Sequence, residues 1–193
     1  KRNPGVIVEY GNVNYALLGE IISRVSGQPY PAYVTEHILK PLGMPIAFTL
    51  TDEMKVDAAT GYMRRWEPMR LFLGVMMPDV SKRLYGEPIN GLVALKNYDL
   101  DSAAIGGLVG AAPGFAPFVL AHLNQGAGIL SKETCQLMQT IINHEGAGAG
   151  FTSETRIYPA RGIGFVITMN RMSLPQISLV AHRICERIMN HNV

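Results

Sequence analysis

The clearest pattern in the sequence is a stripe of apolar residues at helical spacing near each end. In the stretch 14–25 apolar residues recur every three or four positions, with Asn14 able to cap the start and Gly27 able to close the end. These apolar residues are Leu17, Leu18, Ile21, Ile22 and Val25. Near the other end, a helix opening near Ser173 would bury the stripe Ile177, Val180, Ala181, Ile184 and Ile188. Both patterns predict helices with an apolar face, and the second helix is expected to bury its face against the sheet.

Further helices are predicted between these two. One begins at Pro31 and stops before Pro41, because proline favours the first turn and disfavours a helical residue before it. Another covers residues 113–123, and a third is capped by Ser131 and runs to about Gln139. Residues 42–110 have no sustained period, so we interpret them as loops and short helices.

The period changes to that of β-structure after residue 150. Residues 151–158 alternate as a strand does, residues 159–162 contain turn residues, and residues 163–169 are nearly all apolar. This predicts a hairpin whose second strand is covered on both faces. The expected fold class is therefore α+β, with a mainly helical region over 1–140 and strands plus a C-terminal helix over 141–193.

A two-stranded hairpin is marginal by itself in water, and its edges need partners. We therefore expect the sheet to be completed by chain that is not in this sequence. The first residue is Lys1 and no signal peptide follows it. The expectation is that something upstream has been lost by processing, cloning or disorder, and localisation (periplasmic or cytoplasmic) stays open.

Composition narrows the range of partners. The 193 residues are 48% hydrophobic and 17% charged, which is typical of a globular chain. The net charge of +2 is small and scattered, so no nucleic-acid partner is expected, and no apolar run is long enough for a membrane span. Cys135 and Cys185 lack metal-ligand spacing, so we expect buried thiols, with a bridge between them left open. Neither a metal nor a cofactor is expected.

Three segments could carry chemistry. The first is Glu9-Tyr10-Gly11-Asn12 with Tyr15-Ala16-Leu17-Leu18-Gly19 after it, the second is Pro41-Leu42-Gly43-Met44, and the third runs from His144 to Phe151. Taken alone, a Tyr-x-Asn triplet is more often a packed tyrosine beside a turn asparagine. The glycines at 146–150 are not a phosphate-binding loop, because no Lys-Ser or Lys-Thr pair and no helix follow them.

In this order and spacing, the three segments resemble the class C beta-lactamase, D,D-peptidase and family VIII esterase group of serine hydrolases. The pair Gly106-Gly107 also resembles that family's Gly-Gly segment ahead of a helix. The resemblance implies a beta-lactamase/transpeptidase-like fold. It also implies acyl transfer on a small-molecule beta-lactam, ester or D-amino-acid peptide.

The resemblance also implies roles for five residues. Tyr10 would be the general base or a proton relay, and Asn12 would hydrogen-bond an amide or ester group of the substrate. His144 would stand for the lysine of the family's Lys-Thr-Gly motif and contact a substrate carboxylate or the Tyr10 hydroxyl. Gly146 would allow close approach of the substrate, and the N–H of Ala147 would be one oxyanion donor. The other interpretation of His144 is a loop histidine in a glycine run.

The sequence departs from the family in two ways. None of its serines has lysine three residues later, so the Ser-x-x-Lys nucleophile motif is missing; Ser153 has Arg156 at that offset, on a predicted strand. The passage from Met138 to His144 is also shorter than the family's, which indicates a deletion or a missing stretch.

Three hypotheses follow. The first is part of a serine hydrolase, inactive alone, whose nucleophile lies on an N-terminal segment or another chain. The second is a non-catalytic relative that binds peptides or muropeptides, and the third is an unrelated α+β domain with accidental motifs. A Ser-x-x-Lys motif upstream of Lys1 would favour the enzyme.

Overall fold

A computed structural model describes residues 10–138, 143–148 and 150–190. Its α-helices are α1 Asn12–Ser26, α2 Tyr30–Val34, α3 Asp52–Val56, α4 Pro68–Met76, α5 Pro78–Leu84, α6 Ala103–Gly106, α7 Ala112–Leu123, α8 Lys132–Met138 and α9 Leu174–Asn190. Its strands are β1 Tyr62–Arg64, β2 Tyr85–Ile89, β3 Leu92–Leu95, β4 Asn143–Gly148, β5 Phe151–Tyr158 and β6 Ile163–Met169. The strands form two antiparallel three-stranded sheets, in the orders β1-β3-β2 and β4-β5-β6. The predicted α+β class is confirmed.

The hairpin predicted from the alternating pattern is confirmed with its register. Strands β5 and β6 pair from Thr152 opposite Met169 to Tyr158 opposite Ile163. A 3₁₀ turn, Pro159–Arg161, joins them, and Gly162 closes it with a φ of 66° that favours glycine. The expectation that β6 is covered on both faces is wrong, because its residues are mostly half-buried.

The C-terminal sheet contains a third strand that the sequence pattern did not predict. Strand β4 pairs antiparallel with β5, from Asn143 opposite Arg156 to Gly148 opposite Phe151. Glycines at 146 and 148 lower the strand propensity of this segment, so period alone does not identify it. His144 therefore lies in an edge strand of the described sheet and not in a loop.

Helix α9 packs on this sheet through part of its predicted stripe. Ile177 and Ala181 are fully buried, and Ile184 and Ile188 are partly buried. The prediction for Val180 is wrong, since it is 43% exposed, and Cys185 is buried instead. The contact line follows positions i, i+4 and i+8, so a residue three after Ile177 falls at its edge. Cys135 and Cys185 are both buried thiols, as expected.

Helix α1 ends at Gly27 as predicted, but Gly11 caps its start instead of Asn14, and its apolar stripe does not lie in a core. Leu17, Leu18 and Ile21 are each more than half exposed, and Val25 is 84% exposed. Within the part of the chain that the structure describes, nothing covers this face. The apolar pattern of α1 is therefore not matched by burial among the described residues.

The segment Pro-Leu-Gly-Met belongs to the core of the helical region. The predicted helix over 31–40 appears as α2 continued by a π-helical turn, Thr35–Leu39. Gly43 has a φ of 63°, which turns the chain so that Met44 follows it into the core. The buried members of this cluster are Val34, Leu39, Met44 and Ile46.

Residues 42–110, expected to be loops and short helices, also contain the sheet β1-β3-β2. Its core consists of Met63, Tyr85, Val93 and Leu95. The prediction missed it because its strands have three to five residues and β2 contains Gly86, Pro88 and a register shift. The described residues contain no helix long and apolar enough to cross a membrane.

The two helices predicted after residue 110 are confirmed as α7 and α8. The Ser131 hydroxyl accepts a hydrogen bond from the Thr134 backbone N–H at 3.1 Å, as a capping residue should. The predicted end of α8 at Gln139 lies outside the described residues, as does most of the shortened passage before His144.

Candidate functional site

Tyr10 lies immediately before helix α1, where the chain turns from extended to helical backbone. Gly11 takes the capping position, and its carbonyl accepts the Asn14 backbone N–H at 3.0 Å. The Tyr10 side chain is 64% exposed, and its ring centroid lies 5.3 Å from that of Tyr15. Tyr10 is therefore held beside the helix start with its ring open to solvent.

Helix α1 is itself fixed against the Gly-Gly segment of the sequence. Gly19 is buried, and a Cβ added there would lie only 2.5 Å from the Cβ of Ala104 in α6. The Ser23 hydroxyl bridges the end of the helix by donating to the Gly19 carbonyl and accepting from the Tyr30 backbone N–H. These contacts set the position of the helix start that carries Tyr10 and Asn12.

Strand β4 places His144 beside Tyr10. His144 is opposite Thr155 on β5, and its ring centroid lies 6.3 Å from that of Tyr10 at an interplanar angle of 49°. The two residues are far apart in the sequence, yet their rings are neighbours. The predicted juxtaposition of Tyr10 and His144 is what the structure has.

Residues of β4 alternate between two faces. Glu145 accepts a hydrogen bond from the Ser178 hydroxyl of α9 at 3.1 Å, so its face is the one covered by that helix. His144 and Gly146 lie on the opposite face, the one toward Tyr10. A candidate cleft therefore lies between the start of α1 and the edge strand β4.

Gly146 has a structural reason to be glycine. It is opposite Ser153, and a Cβ at position 146 would lie 2.6 Å from the Ser153 hydroxyl oxygen. Because Gly146 has no side chain, the Ser153 hydroxyl can lie over the backbone of β4 at this position. The cleft face of β4 is also left open between His144 and Gly148.

Asn12 and Ala147 occupy the two remaining predicted positions. Asn12 is the first residue of α1 and is exposed on the helix start beside Tyr10. Ala147 is exposed on β4, directly opposite Thr152. The structure thus puts one predicted residue on each side of the cleft in addition to the Tyr10–His144 pair.

Ser153 does not form a nucleophile–base pair with Arg156. The two side chains lie on opposite faces of β5, because their positions differ by an odd number. Arg156 forms an ion pair with the fully buried carboxylate of Glu154 on the side toward α9. Arg156 therefore does not serve Ser153 as the lysine-like partner that activates a serine.

Tyr98 is a cleft residue that the sequence did not identify. Its hydroxyl lies 3.6 Å from the position a Cβ would take on Gly148, at the end of β4. Burial raises the pKa of the Tyr98 hydroxyl above its ordinary value, so it remains a neutral phenol. The residue sits in an aperiodic loop without a motif, so no sequence signal was available to find it.

No cluster of three or more His, Cys, Asp or Glu side chains that could hold a metal ion occurs among the residues with described positions. The chemistry available to this cleft comes from a phenol, an imidazole, an amide and backbone N–H groups. Such groups relay protons, hold a polar substrate and stabilise an oxyanion.

The chain is similar to known proteins both in sequence and in fold. A family model described as Beta-lactamase matches residues 1–183. PbpX of Bacillus subtilis (strain 168), which is named as a penicillin-binding protein, is 39% identical over 108 residues; the match covers 55% of this chain and 26% of PbpX. Protein flp of Staphylococcus aureus (strain MW2) is 47% identical over 60 residues, covering 31% of this chain and 12% of that protein.

Solved structures give the same result for the fold. D-amino acid amidase from Ochrobactrum anthropi SV3, complexed with L-phenylalanine amide, superposes with a TM-score of 0.74 at 19% identity, over 100% of this chain and 61% of the amidase. A class C beta-lactamase superposes with a TM-score of 0.63 at 16% identity, over 92% of this chain and 56% of that enzyme. The chain thus spans about three-fifths of these structures and a smaller part of its curated relatives.

Proposed function

The chain belongs to the beta-lactamase family, and from this premise we propose that it supplies one side of a serine hydrolase site that works by acyl transfer. The substrate is a small amide, ester or beta-lactam, and the nucleophile comes from chain outside these 193 residues. By itself the chain is inactive, because a covalent acyl transfer cannot start without a nucleophile.

The observation that carries the proposal is the proximity of Tyr10 and His144. Two segments that resemble separate motifs of one family meet across a cleft, with ring centroids 6.3 Å apart. A packed tyrosine and a loop histidine with no shared role would have no reason to meet at the edge of a sheet. The contact therefore supports a common site.

The roles follow from position. Tyr10 takes the proton from the incoming nucleophile and returns it to the leaving group, as a general base and then a general acid. His144 lies near enough to orient the Tyr10 hydroxyl or a substrate carboxylate. Asn12 holds an amide or ester group, and the backbone N–H of Ala147 is one of the two oxyanion donors.

The structural neighbours suggest a substrate class. The amidase is seen with L-phenylalanine amide and with D-phenylalanine, and another neighbour is a D-stereospecific amidohydrolase from Streptomyces sp.. A cleft bordered by Tyr10, Tyr98 and a glycine-rich edge strand can accept an extended amino-acid amide. We therefore include amides of D-amino acids with beta-lactams and esters as substrates to be tested.

Two uncovered surfaces support the view that further chain completes the site. The apolar face of α1 is exposed beside Tyr10, and β4 and β6 are the edges of the described sheet. Exposed apolar faces and strand edges are usually covered in a native fold. An N-terminal segment of the same protein, or another chain, that covers them would stand next to Tyr10.

The test compares two tyrosines in the chain joined to its upstream segment. Tyr10→Phe removes only the hydroxyl proposed to move the proton, so kcat should fall by about 10²–10⁴. Tyr15→Phe is the matched control, because Tyr15 contacts the Tyr10 ring and is also exposed. Turnover is measured with nitrocefin, p-nitrophenyl acetate and D-phenylalanine amide, and an equal small effect of both variants would contradict the role of Tyr10.

The short passage from Met138 to His144 favours a second candidate, a non-catalytic relative that binds peptides or muropeptides. In that case the joined protein would bind a muropeptide without turning it over. Equilibrium binding with and without the substitution His144→Ala distinguishes this function, since a binding site loses affinity although there is no activity to lose.

A further inference from the structure

A pair of short helices that carry none of the motifs has an apolar exterior. Helices α4 and α5 follow strand β1 and are separated by Met77. Eight large apolar side chains on and around them are exposed, and together they are called the α4–α5 surface: Trp66, Met69, Leu71, Phe72, Val75, Met76, Met77 and Val80. Trp66 is 71% exposed and Val75 is 80% exposed.

This exposure does not come from a poorly anchored helix pair. The inner side of the pair contributes Leu73 and Leu84 to the cluster around Met63, Tyr85 and Val93, which is fully formed. The Arg70 side chain donates to the Arg65 carbonyl at 2.9 Å and lies over the Tyr85 ring. The apolar residues on the outer side are thus surplus to the core of this region, and such a patch marks an interaction site.

The rim of the surface is cationic. Exposed basic side chains outnumber exposed acidic ones within residues 64–83, four against one: Arg64, Arg65, Lys82 and Arg83 against Asp79. The guanidinium of Arg65 lies 5.2 Å from the centroid of the Trp66 ring. A tryptophan under an arginine combines an apolar body with a polar edge, a combination suited to a membrane–water interface.

We propose that the α4–α5 surface docks this protein on an anionic phospholipid membrane. Helix α4 has nine residues, far short of a bilayer span, so the helices lie in the plane of the interface. Their apolar side chains enter the boundary between headgroups and acyl chains. The flanking arginines and lysine contact the lipid phosphates.

The charge of the α4–α5 surface favours a membrane over a second copy of the chain or a segment of protein. A second copy of the chain meeting face to face would set one cationic rim against another, which is unfavourable. A protein segment is a better match for the exposed face of α1 than for the α4–α5 surface. The charged residues of α1 are balanced, since Arg24 and Glu20 are paired at 2.7 Å. The α4–α5 surface has a net positive rim, which is complementary to anionic lipid.

The test uses the 193-residue chain, in which Trp66 is the only tryptophan. Vesicles of equal parts phosphatidylglycerol and phosphatidylcholine should bind the chain and shift the Trp66 emission to shorter wavelength. Binding to pure phosphatidylcholine should be at least about tenfold weaker, and added salt should weaken the anionic case, since lysine and arginine contribute through screened attraction.

Two variants and a control make the test specific. Val75→Ser with Met76→Ser removes apolar contact, and Lys82→Gln with Arg83→Gln removes charge; each should weaken binding about tenfold or more in vesicle co-sedimentation. Val25→Ser is the matched control, since Val25 is 84% exposed on α1, and it should leave binding unchanged. All these side chains are exposed, so folding should survive, which circular dichroism checks.

Three outcomes would overturn the proposal. One is equal binding to both vesicle types, and a second is an equal loss with Val25→Ser, which would indicate general adsorption of apolar surface. The third is an absence of vesicle binding. In that case, self-association of the chain or protection of Trp66 by the upstream segment would show that protein, not lipid, covers the surface.

Discussion

Helices α1 and α9 have the same kind of sequence pattern and opposite surroundings. Each has isoleucines and other apolar residues at helical spacing on one face. On α9, Ile177 is completely buried against the C-terminal sheet, whereas on α1 the equivalent Ile21 is 55% exposed. The apolar pattern therefore identifies a helix face that needs to be covered. It does not show which part of the chain, or which other chain, covers it.

The difference has a simple origin in the chain. Two of the three strands packed against α9, β5 and β6, form the hairpin immediately before it, so most of that interface is local in the sequence. The face of α1 has no such neighbour among residues with described positions. Because Tyr10 lies at the start of α1, the uncovered face borders the candidate cleft.

The largest expected effect is a contrast between two identical substitutions. Ile177→Ala should lower the free energy of unfolding by about 2–5 kcal/mol, because it leaves a cavity under α9. Ile21→Ala in the 193-residue chain should change it by less than about 0.5 kcal/mol, because that side chain is already in water. Urea unfolding followed by circular dichroism measures both, and similar losses would show that α1 is covered within this chain.

The same substitution then sharpens the comparison in the chain joined to its upstream segment. If that segment packs on α1, Ile21→Ala should now cost about 2 kcal/mol or more, approaching the cost of Ile177→Ala. Val180→Ala serves as the control, since Val180 lies at the edge of the α9 contact and is 43% exposed. An unchanged cost for Ile21→Ala would mean that the segment packs elsewhere.

The smallest expected effect is a change in stability at high pH that depends on Tyr158, which contacts helix α9. The Tyr158 hydroxyl lies 3.1 Å from the Cys185 sulfur, and this hydrogen bond together with burial raises the pKa of Tyr158. The folded state therefore favours the neutral phenol of Tyr158 over the phenolate. Its contribution is complete below the ordinary tyrosine pKa of about 10 and is lost as pH rises through the higher folded value.

Tyr158→Phe should therefore cost about 0.5–1.5 kcal/mol at neutral pH. Between about pH 9 and 11, the unfolding free energy should fall more for the unmodified chain than for this variant. Tyr33→Phe is a control on a helix away from the sheet. Parallel pH profiles for the unmodified chain and Tyr158→Phe would contradict the role of this hydrogen bond.

Elements with a sustained period could be predicted, and elements with few residues or glycines could not. Strands β5 and β6 have eight and seven residues of consistent pattern and were predicted to the residue. Strand β1 has three residues and β4 is interrupted by Gly146 and Gly148, so neither gives a recognisable period. Pairing with distant neighbours stabilises them, which a single-sequence pattern does not record.

The candidate site divides in a similar way. Tyr10, Asn12 and His144 were identified from motifs, and the structure has Tyr10 and His144 side by side. Tyr98 was missed because its place beside Gly148 results from the fold of an aperiodic loop. The domain division at residue 140 and the roles of the site residues remain predictions.

The most direct test of the central claim measures turnover by complementation. The purified chain and its upstream segment are assayed separately and mixed, with nitrocefin, p-nitrophenyl acetate and D-phenylalanine amide. The account predicts no hydrolysis above background by the chain alone and turnover by the mixture, which Tyr10→Phe lowers and Tyr15→Phe does not. Hydrolysis by the chain alone would contradict it, since a nucleophile would then lie within these residues, and so would a mixture inactive on every substrate.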